Sequence, residues 1–122
     1  MTTLVRRKYS AASIALWTAQ IAAAGMFLLA GGSKLAGMPA HVQVFDAIGI
    51  GQWFRYVTGA IEVVSALLLL VPSLAFFGAV ALVPTMIGAV LTHLFIVGGS
   101  PAPAIVLLVT VTVIAWARRD TL

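Results

Sequence analysis

The chain alternates long apolar runs with short segments rich in proline, glycine and polar residues. Four apolar runs, at about residues 10–33, 54–71, 74–97 and 102–117, are long enough, or nearly so, to cross about 30 Å of hydrocarbon as helices. The fourth run is rich in Val and Thr, but a lone strand in lipid would leave its backbone groups unpaired. The pattern therefore predicts an all-α fold: an integral membrane four-helix bundle that forms a single domain over residues 1–122.

Residues 38–53 separate the first two runs and are only mildly apolar. Within this segment Val42, Phe45 and Ile48 recur at helical spacing, and glycines follow at positions 49 and 51. A helix with one apolar face and polar residues elsewhere suits the plane of the membrane interface. The segment is predicted to be a short interfacial helix between the first two spanning helices.

Composition indicates a surface that faces lipid. Of the 122 residues, 62% are hydrophobic and 8% are charged, whereas a soluble domain is about a quarter charged. So few charges cannot cover a soluble surface of this size. The chain has no cysteine, which excludes disulfides, thiol redox chemistry and thiolate metal sites, and no metal site is predicted.

Basic residues cluster near the two ends of the chain. Five of the seven are Arg6, Arg7, Lys8, Arg118 and Arg119. The positive-inside rule then predicts a multi-pass protein of the cytoplasmic (inner) membrane with both termini cytoplasmic and residues 38–53 on the outer side. The first run is longer than a signal-peptide core, so it is predicted to be a retained helix. No basic stripe or aromatic-interleaved patch is present, and nucleic-acid binding is not expected.

Among the ionisable residues within the apolar runs or at their ends, Glu62, His93 and Lys34 are the catalytic candidates. An ionisable residue at membrane depth is costly and is by default a functional-site candidate. In the predicted orientation all three lie in the outer half of the membrane, so we expect them to converge on an outward-opening pocket as its catalytic groups. Glu62 and His93 could work as acid and base there. The alternative is structural: an ion pair or hydrogen bond that holds helices together.

Further residues are expected to bind a substrate in this pocket. Arg55 and Thr58 share a helical face with Glu62, although Arg55 could instead extend to lipid headgroups. Gln20 lies at mid-membrane on one helical stripe with Phe27, and its alternative role is a hydrogen bond between helices. The apolar walls are predicted to come from Phe27, Met86 and Trp53.

Several short motifs carry a family resemblance. They are FLLAGGSKL at 27–35, FDAIGI at 45–50, WFRYVTGAIE at 53–62, LLLLVP ending at 72 and MIGAVLTH at 86–93. With these motifs the chain resembles the DoxX-like family of small four-helix membrane proteins over nearly its whole length. The family takes its name from a subunit of a thiosulfate:quinone oxidoreductase, so the resemblance implies a quinone or another lipophilic partner. Because cysteine is absent, sulfur chemistry through a protein thiol is not expected.

Three functions fit these features. The first is a subunit that binds a quinone or another lipophilic molecule and passes protons through Glu62 and His93. The chain has no flavin motif and no haem-ligand pair, so this function needs a redox partner subunit, and haem is not an expected cofactor. The second is a stand-alone membrane enzyme that uses a buried carboxylic acid for isomerisation, cyclisation or epoxide opening of an apolar substrate. The third is a non-catalytic transporter or assembly factor, in which small residues could support a homo-oligomer. In each case the lipid bilayer is the expected surrounding.

Overall fold

The computed structural model describes residues 10–121, and these residues contain helices and turns but no strand. The helices are α1 (Ala11–Ala36), α2 (Pro39–Ile48), α3 (Trp53–Leu69), α4 (Ala75–Thr92) and α5 (Ala102–Arg118). A π-helical turn, His93–Val97, continues α4, and a 3₁₀ turn, Arg119–Thr121, follows α5. The all-α prediction is confirmed, and a helix is present in each of the four apolar runs and in the segment between the first two.

Local capping explains where α1 and α2 begin and end. The Ser10 hydroxyl accepts a hydrogen bond from the Ser13 N–H at 3.1 Å, which caps the first turn of α1. At the other end of α1, Gly37 takes a φ of 75° and its N–H donates to the Lys34 carbonyl. Pro39 occupies the first turn of α2, and Gly49, with a φ of 88°, ends that helix.

Close helix approaches at two glycines define the packing. A Cβ atom added to Gly31 of α1 would lie 2.8 Å from the Gly59 carbonyl oxygen of α3, and one added to Gly78 of α4 would lie 2.6 Å from the Ser65 carbonyl oxygen of α3. Only glycine permits helices to pack this closely. Among residues 10–121, the largest fully buried apolar side chains belong to one core cluster: Phe27, Leu69, Leu82, Val111 and Ile114.

The apolar character of the helices agrees with a lipid environment. Ala11–Ala36 and Ala75–Val97 are long and apolar enough to cross a membrane, with mean hydropathies of 1.7 and 2.2, while the apolar Ala102–Arg118 is shorter. Large apolar side chains stay exposed on outward faces, such as Leu29 at 71% and Phe95 at 78%. Exposed apolar surface of this kind marks a face that meets lipid or a partner.

The orientation of the chain rests on charges at its two ends. Arg6, Arg7 and Lys8 lie outside the described residues. Arg118 ends α5, and Arg119 lies in the turn that follows. The cytoplasmic placement of both termini therefore stays a prediction.

Candidate functional site

A cleft of about 690 Å³ lies between α3 and α4, with α2 along one side. Lys34 from the end of α1, Glu62 from α3 and His93 from the π-helical turn contribute polar groups, while Phe45 and Met86 are among the apolar ones. Small-molecule sites typically measure roughly 300–1,000 Å³ and combine a mostly apolar lining with a few polar groups. The cleft has both properties.

Lys34 and Glu62 form an ion pair in this cleft. The Lys34 Nζ lies 2.8 Å from the Glu62 Oε1, and the two side chains are 15% and 1% exposed. The α1–α3 crossing places them together, because a Cβ on Gly59 would lie 3.1 Å from the Lys34 Cβ and 3.0 Å from the Gly31 carbonyl oxygen. The glycines at 31 and 59 thus let the two helices approach closely enough for the pair to form.

The second carboxylate oxygen of Glu62 makes no hydrogen bond within the part of the chain that the structure describes. Its Oε2 is buried and has no hydrogen-bond partner among residues 10–121. A buried acceptor without a partner is uncommon in folded proteins and costs free energy. Glu62 is therefore able to accept a further hydrogen bond or a proton at Oε2.

Arg55 lies behind the ion pair and not among the residues that line the cleft. It is 5% exposed, donates from Nη1 to the Lys34 carbonyl oxygen, and donates from Nε to the Gln52 Oε1 at 2.7 Å. The Gln52 Nε2 in turn donates to the Asp46 Oδ1 at 2.8 Å and to the Val42 carbonyl at 3.0 Å, both on α2. A cation at the C-terminal end of α1 is favoured by the helix dipole. Arg55 and Gln52 thereby hold the ends of α1 and α2 to α3.

Two histidines line the cleft. The Nδ1 of His93 lies 2.9 Å from the Gly98 carbonyl oxygen, a contact made possible by the π-helical turn and the Gly98–Gly99 bend. His41 of α2 also lines the cleft. Partial burial lowers the pKa of His41 below its ordinary value, and the nearby positive charges of Lys34 and Arg55 lower it further.

The remaining candidate residues separate into two groups. Thr58 and Met86 line the cleft. Phe27 is fully buried in the core, and Trp53 is 58% exposed with its Nε1 donating to the Ile50 carbonyl at 2.7 Å. Neither Phe27 nor Trp53 is among the cleft-lining residues.

Gln20 lies toward the opposite end of the bundle and also does not line the cleft. Its Nε2 donates to the Leu69 carbonyl at 2.8 Å, and its Oε1 accepts from the Arg118 Nε at 2.8 Å. Arg118 also lies over the ring of Trp17, 5.1 Å from its centroid. These contacts join α1, α3 and α5. They match the alternative role considered for Gln20 from the sequence, a hydrogen bond between helices.

Sequence reasoning did not select His41 or Gln52 as site residues. Both lie in the segment predicted to be at the membrane interface. Polar residues are expected there, so their presence does not indicate a functional site. Their importance becomes visible only when α2 is seen against the ends of α1 and α3. Among residues 10–121, no group of three or more His, Cys, Asp or Glu is placed to hold a metal ion.

Comparison with known proteins identifies a family. A sequence model described as the DoxX-like family matches residues 18–118, which include most of α1 and all of α2 to α5. No curated protein and no solved structure gives a significant match. The family match agrees with the resemblance seen in the short motifs.

Proposed function

Because the chain belongs to the DoxX-like family of small membrane proteins, we propose that it binds a lipophilic, quinone-like molecule in the cleft and handles protons there. Lys34, Glu62 and His93 form the polar part of the site. Thr58 and Met86 contribute to the walls, and Arg55 positions Lys34 from behind. Electrons reach or leave the ligand through a redox partner subunit.

In this arrangement α1, α3, α4 and α5 cross the membrane and α2 lies in its interface. At about 1.5 Å per residue, the 17 residues of α3 and the 17 of α5 extend about 26 Å, close to the thickness of the hydrocarbon core. With both termini cytoplasmic, α1 ends and α3 begins on the outer side. The cleft then opens in the outer half of the membrane, where a lipid-soluble molecule can enter from the bilayer.

One observation carries this proposal: an apolar cleft contains an ion pair whose buried carboxylate has an oxygen without a hydrogen-bond partner among residues 10–121. An ion pair that served packing alone would be expected to have its remaining lone pairs satisfied by the protein. In this cleft Glu62 can take up or release a proton while the Lys34 ammonium stabilises the negative charge. His93 supplies a second side chain in the cleft that can donate or accept a proton.

The same pair also supports a second candidate function. A carboxyl group that is only 1% exposed and borders an apolar cleft can act as a general acid toward an apolar substrate. Isomerisation, cyclisation and epoxide opening need such a proton and no electron transfer. The chemical identity of the bound molecule separates the two functions.

The experiment uses two glycines as a matched pair. Gly88 lines the cleft, Gly25 is exposed on α1, and an added Cβ atom at either one meets no neighbouring atom within 4 Å. The wild-type protein, Gly88→Leu and Gly25→Leu are each purified in mild detergent, and co-purified lipophilic molecules are identified by mass spectrometry and absorption spectroscopy. We expect a quinone or its quinol in wild type and Gly25→Leu and its loss in Gly88→Leu.

The other outcomes discriminate among the functions. A terpenoid-like or epoxide-like molecule that is lost only in Gly88→Leu would favour the acid–base enzyme over the quinone protein. A wild-type protein that retains no lipophilic molecule and binds none on titration would contradict both. A non-catalytic transporter or assembly role would then be favoured.

A further inference from the structure

Several polar side chains that line the cleft can accept a hydrogen bond but not donate one, because they already donate their hydrogen to a backbone carbonyl. The Thr85 hydroxyl donates to the Ala81 carbonyl at 3.0 Å, and the Thr92 hydroxyl donates to the Gly88 carbonyl at 2.7 Å. Each hydroxyl has a single hydrogen. Both threonines line the cleft, and each hydroxyl oxygen keeps lone pairs that can accept a hydrogen bond.

His93 adds a further acceptor. A carbonyl oxygen can only accept, so the 2.9 Å contact with the Gly98 oxygen requires a hydrogen on Nδ1. In the neutral imidazole the other nitrogen, Nε2, then carries no hydrogen and accepts. The neutral ring of His93, which lines the cleft, therefore has one nitrogen that can accept a hydrogen bond.

Glu62 is the strongest of these acceptors. Its side chain is 1% exposed, it lines the cleft, and Oε2 has no hydrogen-bond partner among residues 10–121. Beside it stands a donor, because the Lys34 ammonium has three hydrogens and lies 2.8 Å from the other carboxylate oxygen. A group that both donates and accepts would satisfy the two side chains together.

We infer that the cleft recognises its lipophilic ligand through a hydroxyl group that donates to the Glu62 Oε2 and accepts from the Lys34 Nζ. A hydroxyl-bearing molecule, such as a quinol or a lipophilic alcohol, is bound in preference to one that carries only carbonyl or ether oxygens. An ammonium group would also donate, but the positive charges of Lys34 and Arg55 disfavour it. This inference rests on the proposed lipophile binding and names the chemical class of the ligand.

The test uses two isomeric probes that differ in the donor. Para-nonylbenzyl alcohol has an O–H group, whereas para-nonylanisole has the same atoms arranged as a methyl ether. Their dissociation constants are measured by calorimetry with the full chain in lipid nanodiscs, and protein-free nanodiscs give the background from partitioning. We expect the alcohol to bind at least about tenfold more tightly, since a hydrogen bond to a buried charged acceptor is lost with the ether.

A double variant, Lys34→Met with Glu62→Leu, assigns the preference to these two side chains. It removes both charges together and leaves no unpaired buried ion, so the protein is expected to fold. The preference for the alcohol should fall to about threefold or less, because the two partners of the hydroxyl are gone.

Each contrary result has a distinct meaning. Equal binding of both probes to the wild type, with loss of both in Gly88→Leu, would overturn the donor inference and leave lipophile binding intact. A preference that survives in the double variant would overturn the assignment to Glu62 and Lys34. Failure of both probes to bind above background would count against the proposed lipophile binding as well.

Discussion

At each end of the bundle a polar side chain of α1 contacts a charged or polar group of another helix. At the cleft, Lys34 lies 2.8 Å from Glu62, whose Oε2 has no hydrogen-bond partner among residues 10–121. Toward the opposite end, Gln20 is fully buried and uses its amide to donate to the Leu69 carbonyl and to accept from Arg118, both at 2.8 Å.

This difference separates a structural contact from a candidate site. In an apolar run Gln20 and Glu62 give the same kind of signal, a polar residue where none is needed. The donor and the acceptor of the Gln20 amide are both engaged by the protein, so the contact fulfils an interhelical role. Glu62 retains an unused oxygen and borders a cleft. Hydrogen-bond satisfaction, and not burial, distinguishes the two.

The largest effect is expected when the cleft ion pair loses one partner. Lys34→Met leaves the Glu62 carboxylate buried without its cation, and the free energy of unfolding should fall by about 4 kcal/mol. Thermal unfolding in detergent measures this change. The control is Lys34→Met combined with Glu62→Leu, which should recover most of the loss. Equal destabilisation of the single and double variants would show that the pair does not act as a unit.

A smaller loss is expected when the helix crossing beneath the pair is widened. Gly59→Leu places a side chain at a position where a Cβ atom alone would lie 3.0 Å from the Gly31 carbonyl oxygen. The resulting overpacking should lower the free energy of unfolding by about 2 kcal/mol. Ligand binding should weaken as well, because Lys34 and Glu62 are moved apart. Gly25→Leu is the control, with open space around its Cβ atom. If both variants unfold at the same temperature, the close crossing is not needed.

Gln20→Met sharpens the comparison because it should change stability without changing binding. The substitution removes the hydrogen bonds of the Gln20 amide with the Leu69 carbonyl and the Arg118 Nε. The free energy of unfolding should fall by about 1.5 kcal/mol. The affinity for the cleft ligand should stay within about twofold of the wild type, since Gln20 does not line the cleft. A loss of affinity as large as that in Gly88→Leu would contradict the separation of the two ends.

The smallest effect is a pH dependence from His41. The folded protein lowers the pKa of His41 below 6.5, so between the two pKa values the unfolded chain binds more protons than the folded one. Stability therefore falls as the pH drops through and below about 6.5, and it is restored as the pH rises. Unfolding temperatures measured between pH 5 and pH 7.5 test this, and His41→Leu should remove the part of the dependence due to His41. An unchanged pH profile in that variant would exclude His41 as its source.

The helices and some of the residues that line the cleft could be predicted from the sequence. The helices follow from run length and composition, which are local properties, and their all-α character is confirmed. Some site candidates could be selected because they are polar residues in an apolar run, and others because they share a helical face with such a residue. The cleft brings five of these candidates together: Lys34, Glu62, His93, Thr58 and Met86. Phe27 and Trp53 were expected at the same walls but lie elsewhere, because a predicted face does not fix the rotation of a helix about its axis.

The family and the all-helical, membrane-type character were thus determined by the sequence alone, since hydrophobicity and short motifs are read along the chain. The tertiary structure decided which polar residues meet. The glycine crossing at Gly31 and Gly59 sets the distance between Lys34 and Glu62, and the bonds of Gln52 to Arg55 and to α2 place that helix beside the cleft. Such contacts depend on the rotation and separation of helices far apart in sequence, and no local pattern encodes them.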